Sequence, residues 1–181
     1  MFYPADAADV LCGVAIEDKK ESAPMTEIEQ FLEIIKVLRS ENGCPWDREQ
    51  TNSSLKAACI EEAAEVVCGI DIYEQTGNAE NLLEELGDLL LIIAMHAQIA
   101  SENGLFDFED VARVIKEKMI RRHPHVFSGE TADDSDAVLK RWEEIKAQEK
   151  AGKEWMNAWL PAALEESKAL IDKAKERKGF V

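Results

Sequence analysis

Cysteine is scarce and poorly spaced for chemistry. Cys12, Cys44, Cys59 and Cys68 form no Cys-x-x-Cys pair. This excludes the thiolate-zinc and dithiol patterns and leaves reduced, partly buried thiols of a cytoplasmic protein as the reading. Positive charge is also short: 21 Lys and Arg stand against 37 Asp and Glu, a net charge of -16. A surface that acidic excludes non-specific binding to a nucleic-acid polymer, although one local basic patch would serve a small phosphorylated ligand. No apolar run approaches the roughly 20 residues that span a bilayer. The longest, Leu89–Ala97, has nine and reads as core. No basic flank precedes the short apolar stretch near the N-terminus, so no signal peptide is expected. Nor does any run of strand length alternate apolar with polar, which excludes a sheet and leaves an all-α fold.

The helices announce themselves by punctuation. Residues 1–24 lack sustained periodicity and read as a loose N-terminal tail; residues 25–181 read as a single helical domain, for which Met25 is a plausible start. Thr26-Glu-Ile-Glu opens the first helix as a capping box, and Asn42-Gly43 ends it. Cys44-Pro45-Trp46-Asp47 reads as a rigid loop, followed by N-cap chemistry in Thr51-Asn52-Ser53-Ser54. Further helices are expected over Ser54–Gln75, Ala79–Glu102, Phe108–Arg122, Asp136–Lys150 and Trp155–Arg177, with a polar loop over Ser128–Asp134.

Two pairs of acids stand out in this frame. Glu62 and Glu65 are three residues apart, and Glu85 and Asp88 repeat the step, so each pair shares one side of its helix. Residues 62 with 88, and 65 with 85, are centred on residue 75, beside the turn signal Thr76-Gly77-Asn78. Reversal there brings four carboxylates to one level of an antiparallel hairpin. A lone Glu-Glu-x-x-Glu such as 61–65 is ordinary helix surface. The second pair changes its weight, because Asp88 leads into the most apolar stretch and is expected to avoid bulk water. Gly87, inside the same helix, suggests a packing or access requirement.

Such a cluster calls for a cation. Oxygen donors without His or Cys in register favour Mg²⁺ or Mn²⁺, whereas a di-iron bundle would need Glu-x-x-His on two helices. Magnesium on carboxylates commonly meets substrate phosphates. Lys118, Arg121 and Arg122 share a face at the end of the fourth helix, where they could clamp phosphate or simply complement the helix dipole. Pro124 disrupts the helical spacing that would make His123 and His125 a ligand pair. Trp46 and Trp142 could stack on a base or pack into the core, and the sequence leaves both open.

Four ordered blocks, Asn-Gly-Cys-Pro-Trp-Asp-Arg-Glu-Gln-Thr at 42–51, Glu-Glu-x-x-Glu at 61–65, Glu-Glu-Leu-Gly-Asp-Leu-Leu at 84–90 and Arg-Arg-His-Pro-His-Val-Phe at 121–127, resemble the MazG family of nucleoside triphosphate pyrophosphohydrolases. The likeness extends through Arg-Trp-Glu-Glu-Ile-Lys at 141–146 and covers most of the chain from Met25. It implies a dimerising helical domain that hydrolyses nucleoside triphosphates between the α- and β-phosphates. Mg²⁺ would be bound by Glu62, Glu65, Glu85 and Asp88, with Glu61 as proton acceptor or outer support. Catalytic weight would fall on Glu61, Glu62 and Glu65. Lys118, Arg121, Arg122, Trp142 and Lys146 would match substrate-contacting positions, and Trp46 joins them as a stacking candidate. Many relatives carry two tandem domains, whereas this chain stops near where a second would begin. The alternatives are a nucleotide- and metal-binding regulatory module without turnover, and a dimerisation scaffold whose acids are surface charge.

Overall fold

The computed structural model describes residues 24–129, 131 and 134–180. The expected tail over residues 1–23 lies outside them. Among the described residues the fold is all-α. It comprises α1 Glu27–Arg39, α2 Pro45–Glu49, α3 Lys56–Thr76, α4 Glu80–Glu102, α5 Phe108–Arg122, α6 Pro124–Phe127, α7 Ser135–Lys150 and α8 Leu160–Lys178.

Local chemistry sets the boundaries. The Thr26 backbone N–H donates to Glu29 at 2.7 Å while the Thr26 hydroxyl accepts from the Glu29 N–H at 3.3 Å, completing the expected capping box. Asp107 and Asp110 form a second box that starts α5. The rigid-loop reading of residues 44–47 gives way to α2, because Pro45 has the φ a first helical turn requires. Ser54 is not the start of α3. It exchanges hydrogen bonds with Thr51 in a preceding turn, and α3 begins at Lys56. Pro124 likewise starts the short helix α6, between the expected helix that ends at Arg122 and the expected loop that begins at Ser128. The last expected helix divides into a 3₁₀ turn, Glu154–Ala158, and α8, with Pro161 in the first turn of α8.

Helices α3 and α4 form an antiparallel hairpin, the most extensive packing in the molecule. Gly77, at φ 73°, caps α3 in the left-handed conformation that glycine adopts without strain. At Gly69 a methyl group would lie 2.9 Å from Leu82 Cα, so glycine is what lets the two backbones approach so closely. Among the described residues nothing supplies the packing requirement expected at Gly87, since a methyl group there would meet nothing within 4 Å.

The core gathers Ile35 of α1, Leu55 and the second half of α4, chiefly Ile92, Met95 and Ile99. Arg39 ties α1 to this end of α4. Its guanidinium donates to both Glu102 carboxylate oxygens, at 2.8 and 2.6 Å, and to the carbonyls of Asp47 and Gln50. The first half of α4 is left to build the site, with α8 packed across α3.

Candidate functional site

The hairpin brings three of the four paired acids into one cluster. Oxygen atoms of Glu62, Glu65 and Glu85 lie within 4.8 Å of one another. Glu62 and Glu65 are half-buried on α3, and Glu85 is 9 % exposed on α4. Asn81, one turn earlier on α4, donates its side-chain N–H to Glu85 Oε1 at 2.8 Å. The other oxygen, Oε2, is buried without a hydrogen-bond partner. A buried carboxylate oxygen without a donor is costly, and a cation or a water can satisfy it. The donor set, all carboxylate, suits a hard divalent ion.

Asp88 departs from expectation. It is exposed, and the burial expected of it falls on Glu85 instead. The apolar run that follows Asp88 buries α4 further along, at Ile92, Ala94 and Met95, while Asp88 itself remains at the rim. Its charge still reaches the cluster. Burial raises the Glu62 pKa above the ordinary glutamate range, and the negative charges of Asp88, Glu85 and Glu61 add to the effect, against a smaller opposing influence from Lys178.

A cleft of about 420 Å³ opens beside these acids. Glu61, Glu65 and Cys68 of α3 and Asn81 and Glu85 of α4 line one side; Ile171, Lys175, Lys178 and Phe180 close the other. Lys178 pairs with Glu65, and Arg177 pairs with Glu61. These cations went unnoticed in the sequence. Basic residues in a last helical turn are the ordinary complement of the helix dipole, and only tertiary packing shows what they face.

The expected substrate-side residues are gathered elsewhere. Arg121 Nε donates to Glu149 Oε1 at 2.8 Å, and Arg122 donates twice to Oε2, at 3.0 and 2.6 Å. The Arg122 guanidinium also lies over Trp142 at 5.1 Å, and His123 meets that ring edge-on at 4.9 Å. Lys146 pairs with Glu143 at 2.9 Å. Lys118 is half-buried on α5. Trp46, on α2, is 64 % exposed, so core packing among the described residues does not account for it. None of these six residues lines the acidic cleft.

Fold and site together define an all-α protein with a cluster of carboxylates in a helical hairpin. Residues 50–127, which contain all four paired acids and the Arg-Arg-His-Pro-His block, match the MazG nucleotide pyrophosphohydrolase domain. The likeness to the MazG family is therefore carried by this domain-length segment. It is 50 % identical over 125 residues to the nucleoside triphosphate pyrophosphohydrolase/pyrophosphatase MazG of Thermotoga maritima, covering 69 % of this chain and 46 % of that protein. It is 45 % identical over 130 residues to the nucleoside triphosphate pyrophosphohydrolase of Escherichia coli, covering 71 % of this chain and 48 % of that protein. An uncharacterized Bacillus subtilis protein, YabN, is 47 % identical over 132 residues, covering 73 % of this chain and 26 % of that protein. The chain thus spans half or less of the length of these relatives.

Proposed function

We propose that this chain is a nucleoside triphosphate pyrophosphohydrolase that releases a nucleoside monophosphate and pyrophosphate, with Mg²⁺, or Mn²⁺ in its place, as cofactor. The observation that carries the proposal is the convergence of Glu62, Glu65 and Glu85 around a buried carboxylate oxygen that has no donor. The names of the relatives at 45 % and 50 % identity support it. Residues 25–181 act as one domain in this reading, and the setting is cytoplasmic. Among the described residues no helix is long and apolar enough to cross a membrane.

Glu62, Glu65 and Glu85 would hold the ion, with Asp88 joining from the rim. Bound there, a divalent cation supplies positive charge that offsets phosphate charge and lowers the pKa of water. Asn81 fixes the Glu85 carboxylate so that its buried oxygen stays directed at the site. Glu61, on the cleft wall, accepts the proton of the attacking water. Arg121 and Arg122 reach phosphate by exchanging Glu149 for it, with Lys118 and Lys146 beside them and Trp142 or Trp46 against the base.

The active unit is a homodimer. Leu83 and Leu86 of α4 are 75 % and 49 % exposed, with Gly87 on the same face and Val67 exposed on α3. A second copy packed there would cover these apolar groups and supply the close approach that explains a glycine inside a helix. Sedimentation velocity of the wild type against Leu83→Glu tests this, and two equally monomeric species would refute it.

One observation favours a second reading, a nucleotide- and metal-binding regulatory module. The ion pairs from α8 already neutralise Glu61 and Glu65. A single assay separates the two readings. Protein with a panel of nucleoside triphosphates and Mg²⁺ releases pyrophosphate if it is an enzyme, and gains only thermal stability if it is a module.

A further inference from the structure

We infer that Lys178, assisted by Arg177, is the phosphate-side cation of the acidic cleft, exchanging its carboxylate partner for the nucleotide's phosphates when a divalent cation is bound. The inference rests on the function proposed above and adds to it a helix that lies beyond the matched residues 50–127.

Three observations carry it. First, Lys178 and Lys175 are the basic residues among those lining the cleft that Glu65 and Glu85 also line, whereas Arg121 and Arg122 lie outside that lining and pair with Glu149. Second, the end of α8 is held in place. Gly179, at φ 74°, caps the helix, its N–H donates to the Glu176 carbonyl at 3.1 Å, and the Phe180 N–H donates to the Lys175 carbonyl at 2.9 Å. Phe180 lines the cleft while staying 76 % exposed, and the ion pairs of Arg177 and Lys178 hold the final turn against α3. Third, the present partners can be given up. The Lys178 and Glu65 side chains are 37 % and 33 % exposed and that of Arg177 is 67 % exposed, so water reaches and weakens both pairs.

Charge dictates the exchange. A divalent cation on Glu65 and its neighbours cancels the attraction that holds Lys178, leaving an ammonium at the mouth of a cleft. A triphosphate entering the cleft supplies the oxygens that replace Glu65. Lysine suits this role, being a compact point charge on a flexible stem that can pivot from carboxylate to phosphate without moving the helix. Because α8 ends in a fixed cap, the pivot is confined to the side chain.

The test uses the full chain in three forms: wild type, the Arg177→Met/Lys178→Met double variant, and Lys178→Arg. Each is titrated calorimetrically with Mn²⁺ alone and with α,β-methylene analogues of the four deoxynucleoside triphosphates in Mg²⁺; thermal melts verify folding. The double variant is expected to lose about tenfold in nucleotide affinity, while Mn²⁺ affinity holds or tightens because competing cations are gone. Lys178→Arg keeps most of the nucleotide affinity. Unchanged nucleotide affinity in the double variant overturns the inference, as does a parallel loss of Mn²⁺ affinity, which would mean that α8 merely supports the carboxylates. If the wild type itself binds no nucleotide, the proposed function falls as well, so the two failures are distinguishable.

Discussion

The α3–α4–α8 cleft and the α5–α7 clasp are built from the same kinds of residue to opposite ends. In the clasp, one carboxylate, Glu149, receives two guanidiniums, and its bonds to Arg122 are direct and largely shielded. In the cleft, acids outnumber the cations that meet them, and one buried oxygen of Glu85 is left without a donor. Saturated charge is structure, whereas unsaturated charge is capacity for a ligand. As the chain stands, the first region is closed on itself by charge and the second is open to an ion, and the basic residues of the first would reach a phosphate only by giving up Glu149.

The strongest way to break that contrast is to remove Glu85. Glu85→Ala is expected to lower pyrophosphate release on the order of 10²–10³-fold, with loss of Mn²⁺ affinity measured by calorimetry. Retained activity would show that the orphan oxygen is not the centre of the site. At the clasp, Glu149→Gln is expected to cost about 1–3 kcal/mol of stability, read by denaturant titration, while leaving Mn²⁺ affinity unchanged. The same pair has a pH signature. Hydrogen bonds from Arg122, then Arg121, hold the Glu149 carboxyl below the ordinary glutamate range. Its contribution is thus fully present above the unfolded-state pKa and is lost as pH falls through the lowered folded-state value. Melting temperatures of wild type and Glu149→Gln should converge in acid; a constant gap would refute the assignment.

A subtler perturbation targets the frame of the cleft. Gly69→Ala should cost about 1–3 kcal/mol by overpacking against Leu82, and should weaken Mn²⁺ binding without touching a ligand. The smallest effect is expected at Lys56. Its pair with Glu166 joins α3 to α8 at 3.0 Å with both side chains about half exposed, so Lys56→Ala should cost under about 1 kcal/mol. A larger loss would mean that α8 is held by charge rather than by the apolar contacts of Ile171, Ala174 and Phe180.

How far the sequence carried these conclusions differs between the regions for a physical reason. The hairpin was legible because helical period and a turn signal place Glu62, Glu65 and Glu85 by local geometry alone. Period could not say which acid on α4 is buried. The apolar residues after Asp88 make the core, yet Glu85 faces α3 a turn earlier and takes the burial. Lys178 was illegible because its partner Glu65 is more than a hundred residues away, and nothing in the amphipathic pattern of α8 names α3 as its neighbour. The short helices α2 and α6 are hard to read from sequence because Pro45 suits a rigid loop and Pro124 interrupts helical spacing, whereas at a first turn proline is an initiator.

Gly69 has one more consequence. The gap between α3 and α4 is gauged by a single absent methyl group, and the spacing of the carboxylate ring is machined to that gauge. In the proposed site the hairpin would therefore select for ion size as well as charge: widening it by a fraction of an ångström should shift preference from Mg²⁺ toward larger ions such as Ca²⁺, which accept longer bonds to oxygen. A residue that binds nothing would thus act as the calibre of the site.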